Sequence, residues 1–321
     1  MAKKIFFGNY KGGVGKTTSV YQIGLWLARK NHKILMLDLD PQCSLSDICR
    51  SKIADKNYSE FSLNHIIELY SRYIRDNLTD LDLLMRKERG IKSYLHELKP
   101  QVIKHLATNI DFVPSTLIYR NARLNDLASR MEQNPLNVFI MALFIDDLAL
   151  DDEYDYILFD CPPTSNMLIH SVFLASDYYL IPTIGDKISI NGVPDYITEI
   201  EDVHTRYAMN NEIGGILLHT VFKEKPKLIG VLETIYKERR GEKDVRYLKE
   251  LDDAINATNI DSLISKPEFK DFRYNNYQSF SSKHIFFKDI DNLVDIPRYT
   301  SGTIAHTEYE KITEQIVQIT R

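Results

Sequence analysis

A chain of 321 residues can bury a sizeable core, as one large α/β domain or two small ones. Its 44% hydrophobic and 26% charged content and net charge of −5 are ordinary for a globular protein, so no overall basicity demands a nucleic-acid partner. The longest purely apolar run (VFIMALFI, residues 138–145) is far short of the ~20 residues that span a bilayer. Three cysteines (Cys43, Cys49, Cys161) at irregular spacing suit neither a disulfide framework nor a zinc site. The opening MAKKIFFGNY runs straight into a glycine-rich stretch, so no signal peptide is expected and a reducing cytoplasm is the expected location.

Residues 3–9 (KKIFFGN) form a short apolar run ending in a glycine turn, as a buried parallel strand does. Residues 16–30 follow with Val20, Ile23 and Leu27 at helical spacing, and residues 33–40 (KILMLDLD) read as a second strand. Strand, loop, helix, strand within about forty residues is a βαβ unit, which implies a parallel sheet covered by helices. The same grammar predicts strands at 154–160, 177–184, 214–222 and 284–290, and a helix with Pro194 in its first turn running to Met209. Residues 51–106 are mostly helical in pattern, with Leu63, Ile66, Ile67, Tyr70 and Ile74 on one face, while 237–283 are charged, aromatic and irregular. Both read as insertions, at about 51–106 and 237–283, on a single domain spanning 1–321. The fold class expected is α/β, a mostly parallel, doubly wound sheet flanked by helices. A closing helix at 301–319 puts Tyr309, Ile312, Ile316 and Ile319 on one face. Its polar face carries Glu308, Glu310 and Glu314 against Lys311, so packing on the domain is expected rather than membrane contact.

Three strand ends carry the chemistry. In FGNYKGGVGKTT (residues 7–18), Gly12, Gly13 and Gly15 let backbone N–H groups turn inward onto phosphates. The helix that follows aims its positive end at the same anions. Lys16 suits the β and γ phosphates and Thr17 suits Mg²⁺. Tyr10 stands where the usual pattern has glycine, and Lys11 is a second lysine. Downstream, Asp38 and Asp40 lie on one side of the second strand by period-two geometry. If that strand neighbours the loop of the first, one carboxylate can hold a magnesium-bound water and the other can orient the attacking water. Asp160, ending YDYILFDCPP, fits a Walker B carboxylate.

The stretch from Tyr10 to Thr18 resembles the deviant Walker A loop of the ParA/MinD family of P-loop ATPases. Residues 38–42 resemble that family's D-x-D-P-Q motif and residues 160–163 its D-C-P-P switch. Residues 112–127 and 179–183 also follow its pattern, so the resemblance spans most of 3–222 and is weak over the insertions. It implies an Mg²⁺-dependent ATPase that forms an ATP-sandwich homodimer. Lys11 then reaches the partner's ATP, Asp40 orients water, and Thr17, Asp38 and Asp160 organise Mg²⁺. Gly12, Gly13, Val14, Gly15, Lys16, Thr17 and Thr18 bind ATP, while Pro182 and Thr220 follow the family pattern as adenine contacts. ParA-like members often lack the glycine that Tyr10 replaces, whereas MinD-like members keep it.

The ParA branch implies ATP-dependent, sequence-independent DNA binding, with partner-stimulated hydrolysis by a ParB-like adaptor. Residues 223–249 carry nine Lys or Arg against five Asp or Glu. Within them Lys223, Lys225, Lys227, Lys237, Arg239, Arg240, Lys243 and Arg246 are the candidate phosphate contacts. A solvated helix face is the bland alternative for that segment. The P-loop lies too near the start for an operator-reading helix-turn-helix ahead of it, so that subclass is not expected. The overall expectation is a plasmid or chromosome partition ATPase, nucleoid-associated when ATP-bound. The alternatives are a ParA-like positioner of a non-DNA cargo and a MinD-like membrane-associated ATPase. A bacterial tyrosine kinase lacks its C-terminal tyrosine cluster here, and an iron–sulfur relative lacks suitably paired cysteines.

Overall fold

The computed structural model describes residues 1–50, 61–77, 90–120, 122–211, 213–222, 224–234, 238–239, 242–243, 246–257, 279–281 and 304–321. β1 (Lys3–Phe7) is followed by α1 (Lys16–Arg29), β2 (Ile34–Asp38) and α2 (Ser44–Arg50). Next come α3 (Leu63–Asn77), α4 (Gly90–Val102), β3 (Lys104–Ala107), β4 (Ile110–Val113) and α5 (Leu124–Met131). A 3-10 turn at Pro135–Phe139 leads into α6 (Ile140–Asp147), α7 (Leu150–Glu153), β5 (Tyr156–Asp160), α8 (Met167–Ala175) and β6 (Tyr178–Thr183). Then follow α9 (Lys187–Ala208), α10 (Gly214–Val221) and β7 (Lys227–Glu233). The short pair β8 (Glu238–Arg239) and β9 (Glu242–Lys243), α11 (Arg246–Ala257), β10 (Ser279–Ser281) and α12 (Ile304–Ile319) complete the order.

Eight strands form one sheet in the order β10-β7-β6-β1-β5-β2-β4-β3, parallel except where β3 runs antiparallel to β4. This is the doubly wound α/β sheet expected from sequence. The strands are apolar on both faces, as a sheet covered on both sides must be. Ile5 and Phe7 of β1 pack towards α1, α2 and α12, while Phe6 packs into the larger layer built from α3 to α9. Gly24 lets α1 lie close on the sheet, since a Cβ there would meet the Met36 sulfur at 2.9 Å. α12 closes over α1, with Tyr309, Ile312 and Ile316 buried. The Tyr309 hydroxyl lies 2.9 Å from Ser19 Oγ, and Lys30 Nζ donates to Glu314 at 2.9 Å. The packed helix expected at the end of the chain is therefore observed. Among the described residues no helix is long and apolar enough to cross a membrane.

Several expectations need correction. Residues 214–222 form α10 rather than a strand, and the strand of that region is Lys227–Glu233. A short apolar run bounded by turn residues reads equally as strand or buried helix turn. Gly214, at φ 67°, lets the chain turn into the helix there. The helix expected to begin near Pro194 begins at Lys187, because Asp186 caps it through Oδ1 to Ser189 N at 2.9 Å. Residues 51–106 do supply α3 and α4, with all five expected core residues buried, yet their last residues extend the sheet as β3. β5 lies between β1 and β2, so the first two strands are not neighbours. The strand expected at 284–290 lies outside the described residues.

Candidate nucleotide site

Strand register sets the geometry of the site. Phe7 of β1 pairs with Asp160 of β5, and Asp160 pairs with Asp38 of β2, so the three strands end level. The two carboxylates therefore meet beside the loop that follows β1, even though β1 and β2 do not touch. In that loop Gly13 and Gly15 adopt φ 70° and 75°. Such positive φ values cost a Cβ-bearing residue more than glycine, and they turn successive N–H groups to one side. Nothing lies within 4 Å of where a Cβ would sit on Gly12 or Gly13, which leaves the cradle open. Lys16 is buried, and its Nζ donates to the backbone oxygens of Asn9 (3.2 Å) and Lys11 (3.1 Å). Burial lowers its pKa below the ordinary lysine value, while Asp160 and Asp40 act in the opposite direction.

The three aspartates have different surroundings. Asp38 is fully buried, and burial pushes its pKa up to about 7. Its Oδ2 accepts from Ser46 N (2.7 Å) and Ser46 Oγ (2.6 Å), and its Oδ1 accepts from Asp40 N (3.1 Å). Both oxygens are thus already occupied. Asp38 thereby anchors the turn that carries Asp40. Asp40 is half-exposed, its Oδ1 accepting from Gln42 N at 2.9 Å. Asp160 is buried, and its carboxylate oxygens accept no hydrogen bond of ordinary geometry, although the Thr17 hydroxyl lies close to them. Burial and then the Asp38 charge push its pKa well above the carboxylate range, partly opposed by the Thr17 hydroxyl. Such a carboxylate beside Thr17 and the open glycine cradle fits a hydrated Mg²⁺ on a nucleotide phosphate. Asp160 and Thr17 would hold the ion, and Lys16 with the loop N–H groups would hold the phosphates.

Lys11 is not part of this cradle. Its Nζ is ion-paired with the Asp186 carboxylate, whose other oxygen caps α9. Sequence reasoning missed Asp186, and it missed Asn9 and Thr234 as well. Asn9 receives Lys11 N on its Oδ1 at 3.0 Å and donates to Pro182 O at 2.8 Å, tying the loop to β6. Thr234 donates to Val14 O at 2.7 Å, and a Cβ on Gly15 would meet its side chain at 3.1 Å. The end of β7 therefore closes one wall of the loop. An Asn two residues before a lysine and a Thr just past an apolar strand give no sequence signal of their own. Tyr10 packs edge-on against Tyr196 of α9, ring centroids 4.7 Å apart, so its bulk stays out of the cradle.

Pro182 lies near the carboxyl end of β6, on the side of the phosphate loop. Thr220 does not. It sits on α10 with its Oγ1 bonded to Ile216 O, and lines a cavity of about 660 Å³ together with Ala2 and Lys4 at the amino end of β1. It is therefore at the wrong end of the sheet for an adenine contact, and this follows from the strand-to-helix correction above. Lys225 and Lys227 line the same cavity, Lys225 Nζ lying 3.6 Å from the buried Glu201 and Lys227 Nζ 3.1 Å from Glu224. Of the other basic candidates, Arg239, Lys243 and Arg246 fall on β8, β9 and the start of α11. Lys223, Lys237 and Arg240 lie outside the described residues.

α8 carries a buried histidine whose two ring nitrogens both have partners. His170 Nε2 lies 2.9 Å from Ser165 Oγ, and its Nδ1 lies 3.1 Å from Tyr207 OH. Burial, then the Arg206 charge, pushes its pKa down to about 4, and burial does the same to His204. An unfolded histidine titrates near pH ~6.5. The folded state refuses these protons while the unfolded chain accepts them. Stability is thus full above pH ~6.5 and is lost progressively as pH falls towards about 4, with His170 contributing up to about 1.4 kcal/mol per pH unit. Thermal unfolding across this window should show Tm falling with acid, with a shallower slope for His170→Gln. An unchanged slope in that variant would remove His170 from the account.

A family model described as AAA domain matches residues 2–214. A virulence plasmid ParA family protein of Chlamydia psittaci, pGP5-D, is 27% identical over 239 residues, covering 73% of this chain and 76% of that protein. The sporulation initiation inhibitor protein Soj of Bacillus subtilis is 26% identical over 238 residues, covering 74% of this chain and 80% of Soj. The fold is similar to that of a plasmid partition protein from Borrelia burgdorferi bound to AMPPNP. That likeness has a TM-score of 0.58 and 19% identity, and covers 99% of this chain and 98% of the other.

Proposed function

The chain belongs to the AAA domain family and, within it, to the ParA/MinD-type P-loop ATPases, and from that premise we propose that it is a partition ATPase switched by Mg²⁺-ATP. In the ATP state two copies form a nucleotide-sandwich dimer that binds duplex DNA without sequence preference. An adaptor protein of the ParB kind triggers slow hydrolysis and release, moving a plasmid or chromosome cargo over the nucleoid in the cytoplasm. Bound in the cradle, Mg²⁺-ATP supplies the phosphoanhydride bond and the charge that draws the two copies together. Lys16 and the loop N–H groups hold the phosphates, Asp40 orients the attacking water, and Asp38 keeps Asp40 in place.

The observation that carries this reading is the division of labour between the two lysines. Lys16 occupies the cradle of its own chain, whereas Lys11 points out of it towards α9. A lysine so placed is available to a second active site. The DNA contacts proposed are Arg239, Lys243 and Arg246, with Lys223, Lys227, Lys237 and Arg240. Lys225 is a weaker candidate because it already serves the buried Glu201.

Co-sedimentation tests the proposal, using non-specific duplex DNA and anionic liposomes with ATP, ADP or no nucleotide. Binding to DNA alone, only with Mg²⁺-ATP and falling steeply with salt, is expected. Binding to liposomes alone would replace it with a MinD-like role. Binding to neither would leave a positioner of a protein cargo.

A further inference from the structure

Away from the nucleotide, a groove of about 540 Å³ runs between α3, α5 and the 3-10 turn. Arg72 and Arg75 line one wall, Arg130 lines the other, and the nearly buried Leu127 and Leu136 contribute apolar surface. Glu68 also lines it and pairs with Arg72, and Arg75 pairs with its neighbour Asp76. Arg130 is exposed and makes no ion pair among the described residues. Three arginines against one groove-lining carboxylate give local positive charge on a chain whose net charge is −5.

A second feature narrows the occupant. Asn137 lines the groove and is 4% exposed. Its Nδ2 donates to Met131 O at 2.8 Å, which fixes the amide orientation, and its Oδ1 has no hydrogen-bond donor. A buried amide oxygen without a donor is a cost that a ligand N–H can remove. A peptide offers such N–H groups, carboxylates for the arginine forks and apolar side chains for the leucines. A DNA backbone offers only acceptors to Asn137 and little apolar surface for Leu127 and Leu136. We propose that this groove docks an extended acidic segment, interspersed with apolar residues, from a protein partner. This inference does not rest on the nucleotide reading. The 3-10 turn nonetheless continues into α6, whose Met141 N donates to Ser171 of α8, the helix after the Asp160 loop.

The test uses the full chain and a short fluorescein-labelled peptide of Glu, Asp and Leu, followed by fluorescence anisotropy. The same peptide with Lys replacing its acidic residues and a labelled DNA duplex are run in parallel. Saturable, salt-sensitive binding of the acidic peptide is expected, weakened at least about tenfold by Arg72→Glu with Arg130→Glu. The lysine peptide should not bind there. Both arginines are exposed, so the double variant should fold, and an unchanged Tm confirms it. Asn137→Leu should weaken binding on its own. No saturable binding, equal binding of the lysine peptide, or full binding by the folded double variant would each overturn the proposal. Displacement of the peptide by DNA, with the same dependence on Arg72 and Arg130, would make the groove a nucleic-acid site instead.

Discussion

Asp40→Ala should slow ATP hydrolysis by roughly 10²–10⁴-fold, the usual worth of a positioned carboxylate acting on water. It should leave nucleotide binding intact and the ATP-bound dimer long-lived. The geometry supports this separation of effects. Asp40 is half-exposed, its side chain accepts from Gln42 N, and its backbone bonds to the Asp38 carboxylate and from Cys43 N are ones that alanine retains. Losing one partly exposed hydrogen bond costs only about 1 kcal/mol of stability. Asp38→Ala should behave otherwise, since it removes the acceptor of Ser46 and of the Asp40 turn together. Single-turnover phosphate release with Mg²⁺-ATP measures the first effect, and thermal unfolding separates the two variants. Wild-type hydrolysis by a folded Asp40→Ala protein would move the water-positioning role elsewhere.

Lys11→Ala should abolish the stable ATP dimer while ADP still binds the single chain. Two copies of Lys11 would serve each proposed dimer, and a hydrogen bond to a charged group is worth roughly 1.5–3 kcal/mol. Removing both should therefore weaken dimerisation by about 10²-fold or more. Lys16, with its own carbonyl contacts, remains in the cradle to hold ADP. Sedimentation velocity with ATP and titration with labelled ADP read out the two arms. Undiminished dimerisation of Lys11→Ala would refute the two-lysine reading. The Asp186 contact sharpens the point: the Lys11–Asp186 pair must break before Lys11 can reach another site. Asp186→Ser keeps a helix cap and removes that competitor.

The sheet, the loop and the three aspartates were legible because each depends on local pattern: glycine spacing, apolar runs and a carboxylate at a strand end. What escaped depends on tertiary placement. The run GGILLHTV has no periodicity that separates strand from helix, and misreading it carried Thr220 to the wrong end of the sheet. Asp38 and Asp40 look alike in D-x-D-P-Q. They differ in surroundings because Ser46, eight residues on from Asp38, holds one oxygen of Asp38, whereas Asp40 stays half-exposed. Thr234 reaches Val14 across 220 residues of sequence, a separation no spacing rule spans. Asp186 was invisible for the same reason, since its partner Lys11 lies 175 residues earlier.

The seam between α1 and α12 bears on how the chain matures. Ser19 and Tyr309 are 290 residues apart, and β1 is flanked by β5 and β6, which are made much later. The phosphate loop leaves the ribosome first, yet the helix it leads into is covered only after nearly the whole chain has been translated. Contacts of such long sequence separation form slowly, and apolar faces awaiting them are open to aggregation meanwhile. A nascent chain therefore carries the phosphate-loop sequence long before the packing that covers its helix is in place.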